Sequence, residues 1–222
     1  MTARVVPDDE SGRDRAIEAL RGGAVIALPT DTVYGLGVAL STPGGIERLF
    51  HVKQRPPEKG IVLLLADAAQ AHDLAIVTHA AETLAAAFWP GGLTLVLERR
   101  ADVGLPAALT GGASTIGLRV PDHPAPRALA RALGPLPVTS ANVSGQPEAS
   151  TAAEILSLMG PEIDLILDGG PAPGGIPSTV VDASGPAVRI LRAGAIAGDR
   201  IEAVLAAEGV PLHVPGDRRP TT

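Results

Sequence analysis

The sequence predicts an α/β fold built on a mixed β-sheet. Short apolar runs bounded by Gly and Pro alternate with segments of helical periodicity, the pattern of a sheet covered by helices. Some successive runs, such as those meeting between Val181 and Val188, are joined by links too short for a parallel crossover, so parallel and antiparallel pairs must coexist. Aromatic residues make up 2% of the chain against 45% apolar residues, so the core has to be packed from Ala, Val, Leu and Ile. At 222 residues, the chain suits one large domain or one domain with a small appendage, with a core that needs no disulfide staples.

The elements follow in order. Asp14 to Leu20 has helical spacing, is stopped by Gly22-Gly23 and has Ser11 as a candidate cap. Ala24 to Leu28 is a buried strand, Pro29 to Thr32 a turn, and Val33 to Leu40 a second strand. Ile46, Leu49 and Phe50 mark a helix running toward Lys53, and Ile61 to Ala66 a third strand. Thr78 to Phe88 is an Ala-rich helix ended by Trp89-Pro90-Gly91-Gly92. Leu93 to Leu97 and Thr115 to Val120 are strands, Arg127 to Leu133 is a helix, and Val138 to Ser140 a short strand. Thr151-Ala152-Ala153-Glu154 has capping-box spacing and opens a helix to Met159. Ile163 to Leu167, Thr179 to Val181 and Val188 to Leu191 are strands, and Asp199 to Ala207 is the last helix. Residues 1–208 are expected to form one folded domain and 209–222 a flexible, Pro-rich, charged tail.

Composition excludes several functions. There is no Cys, hence no disulfide framework and no thiolate metal site. The five His, at 51, 72, 79, 123 and 213, lack metal-ligand spacing, so no metal site is expected. The first ten residues lack a signal-peptide apolar run, and no stretch is apolar enough to span a bilayer, so a cytoplasmic protein without membrane contact is expected. The net charge of −6 argues against nucleic acid as the main ligand, because phosphate contacts dominate that affinity. No phosphate-loop, dinucleotide or nucleophile-elbow motif is present.

Three polar clusters are candidates for chemistry. Lys53, Arg55 and Lys59 place three cations within seven residues, on a loop stiffened by Pro56 and Pro57; phosphate recognition and a solvated helix end both fit that spacing. Thr30-Asp31-Thr32 follows a buried strand, where open sheets place ligands, though an ordinary polar turn has the same composition. Ser140-Ala141-Asn142 also follows a strand. Alternation would aim both polar side chains to one side, either at a ligand or, for Asn142, at its own turn. Arg119, Arg192, Ser178 and Thr179 complete the polar set at strand positions.

Taken in order, these pieces resemble the Sua5/YrdC family of threonylcarbamoyl-AMP synthases over about Asp14 to Ala195. The matching words are Pro29-Thr30-Asp31-Thr32-Val33-Tyr34-Gly35-Leu36, Lys53-Gln54-Arg55-Pro56 with Lys59-Gly60, and Trp89-Pro90-Gly91-Gly92-Leu93-Thr94. They continue with Gly117-Leu118-Arg119-Val120-Pro121 with His123-Pro124, Ser140-Ala141-Asn142-Val143-Ser144-Gly145, Ser178-Thr179-Val180-Val181-Asp182 and Leu191-Arg192-Ala193-Gly194. The resemblance is to the short, single-domain type. It implies a twisted sheet with helices around a large concave cavity, and conversion of L-threonine, bicarbonate and ATP to threonylcarbamoyl-AMP and pyrophosphate, with Mg²⁺ accompanying the nucleotide. It implies that the product feeds a tRNA threonylcarbamoyl transferase complex that makes t6A at tRNA position 37; weak direct tRNA binding is compatible with it.

By the same resemblance, Lys53 and Arg55 are catalytic, and Lys59, Thr115, Ser140, Asn142 and Arg192 surround the nucleotide. Thr32, Arg119, Ser178 and the backbone near Val138 hold threonine. Some members carry a His in the strand after the cationic loop; here that strand is Ile61 to Leu65, and no such role carries over. Two other readings remain: an RNA-binding module of the same fold without this activity, and a paralogue that forms a carbamoyl adenylate with another acceptor.

Overall fold

The computed structural model describes residues 2–54, 56, 58–143, 145–173 and 175–213. In chain order the elements are β1 (Arg4–Pro7), α1 (Glu10–Arg21), β2 (Ile26–Leu28), β3 (Gly35–Gly37), α2 (Gly45–Lys53), β4 (Val62–Leu64), α3 (Gln70–Leu74), β5 (Ala75–Ile76), α4 (His79–Phe88) and β6 (Leu93–Arg99). They continue with α5 (Ala107–Thr110), β7 (Thr115–Arg119), α6 (Pro124–Leu133), β8 (Leu136–Ser140), α7 (Ala152–Met159), β9 (Leu165–Asp168), β10 (Thr179–Asp182), β11 (Val188–Arg192), α8 (Gly198–Ala207) and β12 (Leu212–His213).

The strands join one twisted mixed sheet in the order β1-β9-β2-β3-β8-β4-β7-β6-β10-β11-β12, with β5 added on β6. The centre, β2-β3-β8-β4, is antiparallel: Leu28 pairs with Gly35, Gly35 with Ser140 and Val62 with Val138. Parallel pairs flank it, β9 with β2, β4 with β7 and β6 with β10. Two buried apolar clusters, one containing Leu63, Leu95 and Leu118 and the other Leu20, Leu28 and Leu129, pack the helices onto the sheet. Each fully buried Leu or Ile contributes roughly 1.5–3 kcal/mol, which is how a core with so few aromatic rings can hold the fold.

Several boundaries differ from the sequence reading. Helix α1 is capped by Asp9 rather than Ser11: its side chain accepts from Gly12 N at 2.8 Å. Helix α6 begins at Pro124, three residues earlier than expected, because proline suits the first helical turn and His123 Nδ1 accepts from Ala125 N. The expected strand Val33 to Leu40 is reduced to Gly35–Gly37. Thr151 caps α7 as expected, accepting from Glu154 N at 3.2 Å, but the Glu154 carboxylate returns to Ser150 N rather than to Thr151 N. Strands β1, β5 and β12 and helices α3 and α5 were missed: each has five or fewer residues, too short to show a period. Strand β12 falls inside the expected tail and pairs with β11; residues 214–222 of that tail lie outside the described residues.

Candidate active site

The antiparallel centre and the parallel pair β4-β7 end beside a cleft of about 130 Å³. Its walls come from the turn after β2 (Thr30, Thr32), from β4 (Val62, Leu64), from β7 (Arg119), from β8 (Val138, Ser140) and from the segments that carry Ser178 and Arg192. Gly35 allows β3 and β8 to approach, since a Cβ there would collide with Val138. Gly194 does the same for the strap after β11, where a Cβ would strike Pro177 and Ser178. Thr179 locks that strap: its hydroxyl donates to Ile196 O at 2.6 Å and accepts from Ile196 N at 2.9 Å.

At one end sits Arg119, only 6% exposed. Its Nε donates to Gly91 O at 2.9 Å, one Nη to Thr32 Oγ1 at 2.9 Å and the other to Asp31 Oδ1 at 2.7 Å. Burial pulls its pKa below the ordinary value, and Asp31 opposes that fall. A guanidinium carries five N–H donors, so two remain for a ligand.

The hydroxyls beside it have a fixed direction. Thr30 donates to Val33 O at 2.6 Å, so in the Thr30–Thr32 contact of 3.1 Å the proton belongs to Thr32. Thr32 Oγ1 gives its proton to Thr30, takes one from Arg119, and keeps one acceptor site. On the facing wall Ser178 Oγ lies 2.8 Å from Thr94 Oγ1, and Arg192 donates to Ser178 O at 2.7 Å and Oγ at 3.2 Å.

At the other end Lys53, the last residue of α2 and 3% exposed, reaches across to the turn after β8. Its Nζ donates to Ser140 O at 2.5 Å, Ser140 Oγ at 3.0 Å, Asn142 Oδ1 at 2.6 Å and Asn142 O at 3.3 Å. A solvated helix end is thereby excluded for Lys53. Asn142 also does what an ordinary turn residue does, donating from Nδ2 to Gln146 O at 2.6 Å, while Ser140 Oγ donates to Asn142 Oδ1 at 2.7 Å. The ligand and turn roles weighed for Asn142 are thus not alternatives. Ala141 faces the interior, fully buried, and its N–H donates to Tyr34 O.

Of the expected site residues, Thr32, Arg119, Val138, Ser140, Ser178 and Arg192 line the cleft together, and Asn142 joins them through Ser140 and Lys53. Lys59 is exposed on the loop after α2, its N–H on Pro56 O. Thr115 begins β7 opposite Glu98, at the end of the strand away from Arg119, and does not line the cleft. Arg55 lies outside the described residues. Asp31 and Thr94 also hold site side chains, and both stand inside the matching stretches; an acid next to Thr32 and a Thr at an apolar strand position are the sequence signals for them. From β4, Val62 and the buried Leu64 give the cleft an apolar stretch of wall. Among the described residues no group of three or more His, Asp or Glu could hold a metal ion.

A family model for Sua5, YciO and YrdC proteins, described as telomere recombination, matches residues 18–194. The chain belongs to this family. It is 37% identical over 215 residues to a threonylcarbamoyl-AMP synthase of Bacillus subtilis, covering 94% of this chain and 61% of that protein. It is 38% identical over 184 residues to a threonylcarbamoyl-AMP synthase of Vibrio cholerae, covering 81% of this chain and 96% of the relative. The chain thus spans about three fifths of the first relative's length and nearly all of the second's. Its fold superposes on Pyrococcus abyssi Sua5 complexed with L-threonine with a TM-score of 0.86 at 32% identity, over 96% of this chain and 62% of that one. The expected α/β class and family stand. No helix among the described residues is long and apolar enough to cross a membrane.

Proposed function

We propose that the protein is an L-threonylcarbamoyladenylate synthase, which makes threonylcarbamoyl-AMP from L-threonine, bicarbonate and ATP and releases pyrophosphate. The observation that carries this reading is the meeting, in one cleft, of the Arg119–Thr32 pair with Ser178, Arg192 and Ser140, the last of which is hydrogen-bonded to Lys53 and Asn142 behind it. The family relatives named for this activity and the threonine complex of Pyrococcus abyssi Sua5 support it.

In this reading the two spare N–H groups of Arg119 take the threonine carboxylate, a charge-assisted fork. The open acceptor on Thr32 Oγ1 takes an N–H of the substrate amine, and Ser178 and the backbone at Val138 close the amino-acid pocket. The amine adds to bicarbonate and water leaves, giving a carbamate. A carbamate oxygen then attacks the α-phosphorus of ATP, the bond from that phosphorus to the bridging oxygen breaks, and pyrophosphate departs. Two anions must meet, so catalysis is charge neutralisation and positioning rather than covalent chemistry.

Lys53 and Arg55 are assigned to that neutralisation. Lys59, Thr115, Ser140, Asn142 and Arg192 are assigned to the nucleotide. Mg²⁺ is assigned to the triphosphate and to no residue of this chain. The product would pass to a tRNA threonylcarbamoyl transferase complex in the cytoplasm for t6A37 formation.

The test is pyrophosphate release by purified protein with ATP, Mg²⁺ and bicarbonate, with and without L-threonine, and detection of the threonylcarbamoyl adenylate. Release that is independent of threonine defeats the proposal. Retention of tRNA without any such product would favour the RNA-binding reading, and turnover with another amino acid in place of threonine would favour the paralogue.

A further inference from the structure

We infer that Asp31 is a positioning residue, whose carboxylate holds the Arg119 guanidinium at the amino-acid end of the cleft so that its free N–H groups face the substrate. The inference rests on the proposed function. Asp31 does not itself line the cleft; it would act through Arg119.

The pairing spans a long gap in the sheet. Asp31 follows β2 and Arg119 ends β7, with β3, β8 and β4 between them. In a flat sheet four strand spacings would separate them by roughly 19 Å. The curl of the sheet and the reach of the turn at 29–34 close that gap to a contact of 2.7 Å between Arg119 Nη2 and Asp31 Oδ1. Both side chains are largely withdrawn from water, 7% and 15% exposed. The guanidinium is held on three sides, by Gly91 O, Thr32 Oγ1 and Asp31 Oδ1. Gly91 is anchored in turn by its N–H on Val120 O.

Of the three holders, Asp31 is the one that fixes Nη2. Gly91 O holds Nε, about which the fork can still swing. Thr32 Oγ1 is a neutral acceptor that is also needed for the substrate. Without Asp31 a long, flexible cation beside a polyanionic nucleotide would turn toward the greater negative charge. The brace keeps Arg119 from being drawn to the phosphates and leaves it ready for the amino-acid carboxylate. Because one oxygen of Asp31 makes the contact, the brace depends on where that oxygen sits, and an isosteric amide can supply it.

That gives a test in which charge and position part company. D31N keeps the acceptor in place and removes the charge; D31E keeps the charge and moves the acceptor by one methylene. KM values for L-threonine and ATP and kcat would be measured by pyrophosphate release for the native protein, D31N, D31E and D31A, with apo melting curves. The expectation is that D31N stays within about threefold of native in threonine KM. D31E and D31A raise it about tenfold or more, with ATP KM within about twofold, since small misplacements of an orienting group are costly. D31E matching the native protein while D31N fails would show a purely electrostatic role and overturn the inference. So would equal changes in both KM values, or a lowered melting temperature with normal threonine KM. If D31A does not fold, D31N and D31E alone decide. Absence of threonine dependence in the native protein would instead defeat the proposed function, which separates the two failures.

Discussion

Arg119 and Lys53 are both buried cations at the two ends of the site, and they are held in opposite ways. Arg119 rests on a carboxylate, Asp31, so the pair carries almost no net charge and its geometry is fixed before any ligand arrives. Lys53 donates to backbone and side-chain oxygens of Ser140 and Asn142, all on the single turn after β8. The difference suits different tasks. Orienting a small zwitterion calls for donors fixed in place, whereas a polyphosphate is held by charge with less demand on geometry.

The sharpest way to break this comparison is to remove each cation in turn. Lys53→Met should lower activity by about a hundredfold or more and lower the melting temperature, because Ser140 and Asn142 lose their hydrogen bonds to its ammonium, at roughly 1.5–3 kcal/mol for a bond to a charged group. Arg119→Gln should raise threonine KM about ten- to a hundredfold, the loss of roughly 1.5–3 kcal/mol of charge-assisted hydrogen bonding, while ATP KM moves little. It should also destabilise the fold by about 3–5 kcal/mol, since Asp31 is left without its buried partner. Steady-state kinetics with each substrate varied and chemical denaturation check both. If the two variants affect the same substrate, the ends are not distinct.

A finer cut lies within the Lys53 cradle. Asn142→Ala removes both the contact to Lys53 and the bond to Gln146 O, and should cost roughly 1–3 kcal/mol of apo stability together with ATP affinity. Ser140→Ala keeps the Ser140 carbonyl on Lys53 and should cost roughly 0.5–1.5 kcal/mol. Calorimetric ATP titration with apo melting curves tests this; a larger loss for Ser140 than for Asn142 would reverse the order of importance drawn from the geometry.

The smallest effect concerns Tyr34, beneath the turn that carries Thr32. Its hydroxyl donates to Gly170 O and accepts from Gly169 N, and burial pushes its pKa up to about 12. The fold therefore favours the neutral phenol. Its stabilisation is complete below the ordinary tyrosine pKa near 10 and is lost as the pH rises through about 12. Urea unfolding at pH 8, 10 and 11 should show a steeper alkaline decline for the native protein than for Tyr34→Phe, which loses about 1 kcal/mol at every pH. Parallel curves would mean that Tyr34 does not titrate in this range.

What the sequence determined by itself was whatever is encoded locally. The helix at Ile46 to Lys53, the Thr151 cap and the apolar runs of the central strands all express periods or capping patterns that a few neighbouring residues suffice to set. The ordered polar words likewise identified the family and five of the side chains that line the cleft, Thr32, Arg119, Ser140, Ser178 and Arg192. Elements too short to show a period, such as Arg4–Pro7 and Leu212–His213, were invisible because their partners, Leu165 and Val188 among them, lie elsewhere in the chain. Only the tertiary structure decided which polar groups meet. Nothing near Arg119 in sequence announces Asp31, 88 positions away, nor does anything near Lys53 announce Asn142, 89 positions away. The pairing comes from the curl of the sheet. Desolvation then turns what would be exposed polar side chains into fixed hydrogen-bond partners, because a buried charge must find its acceptors within the protein.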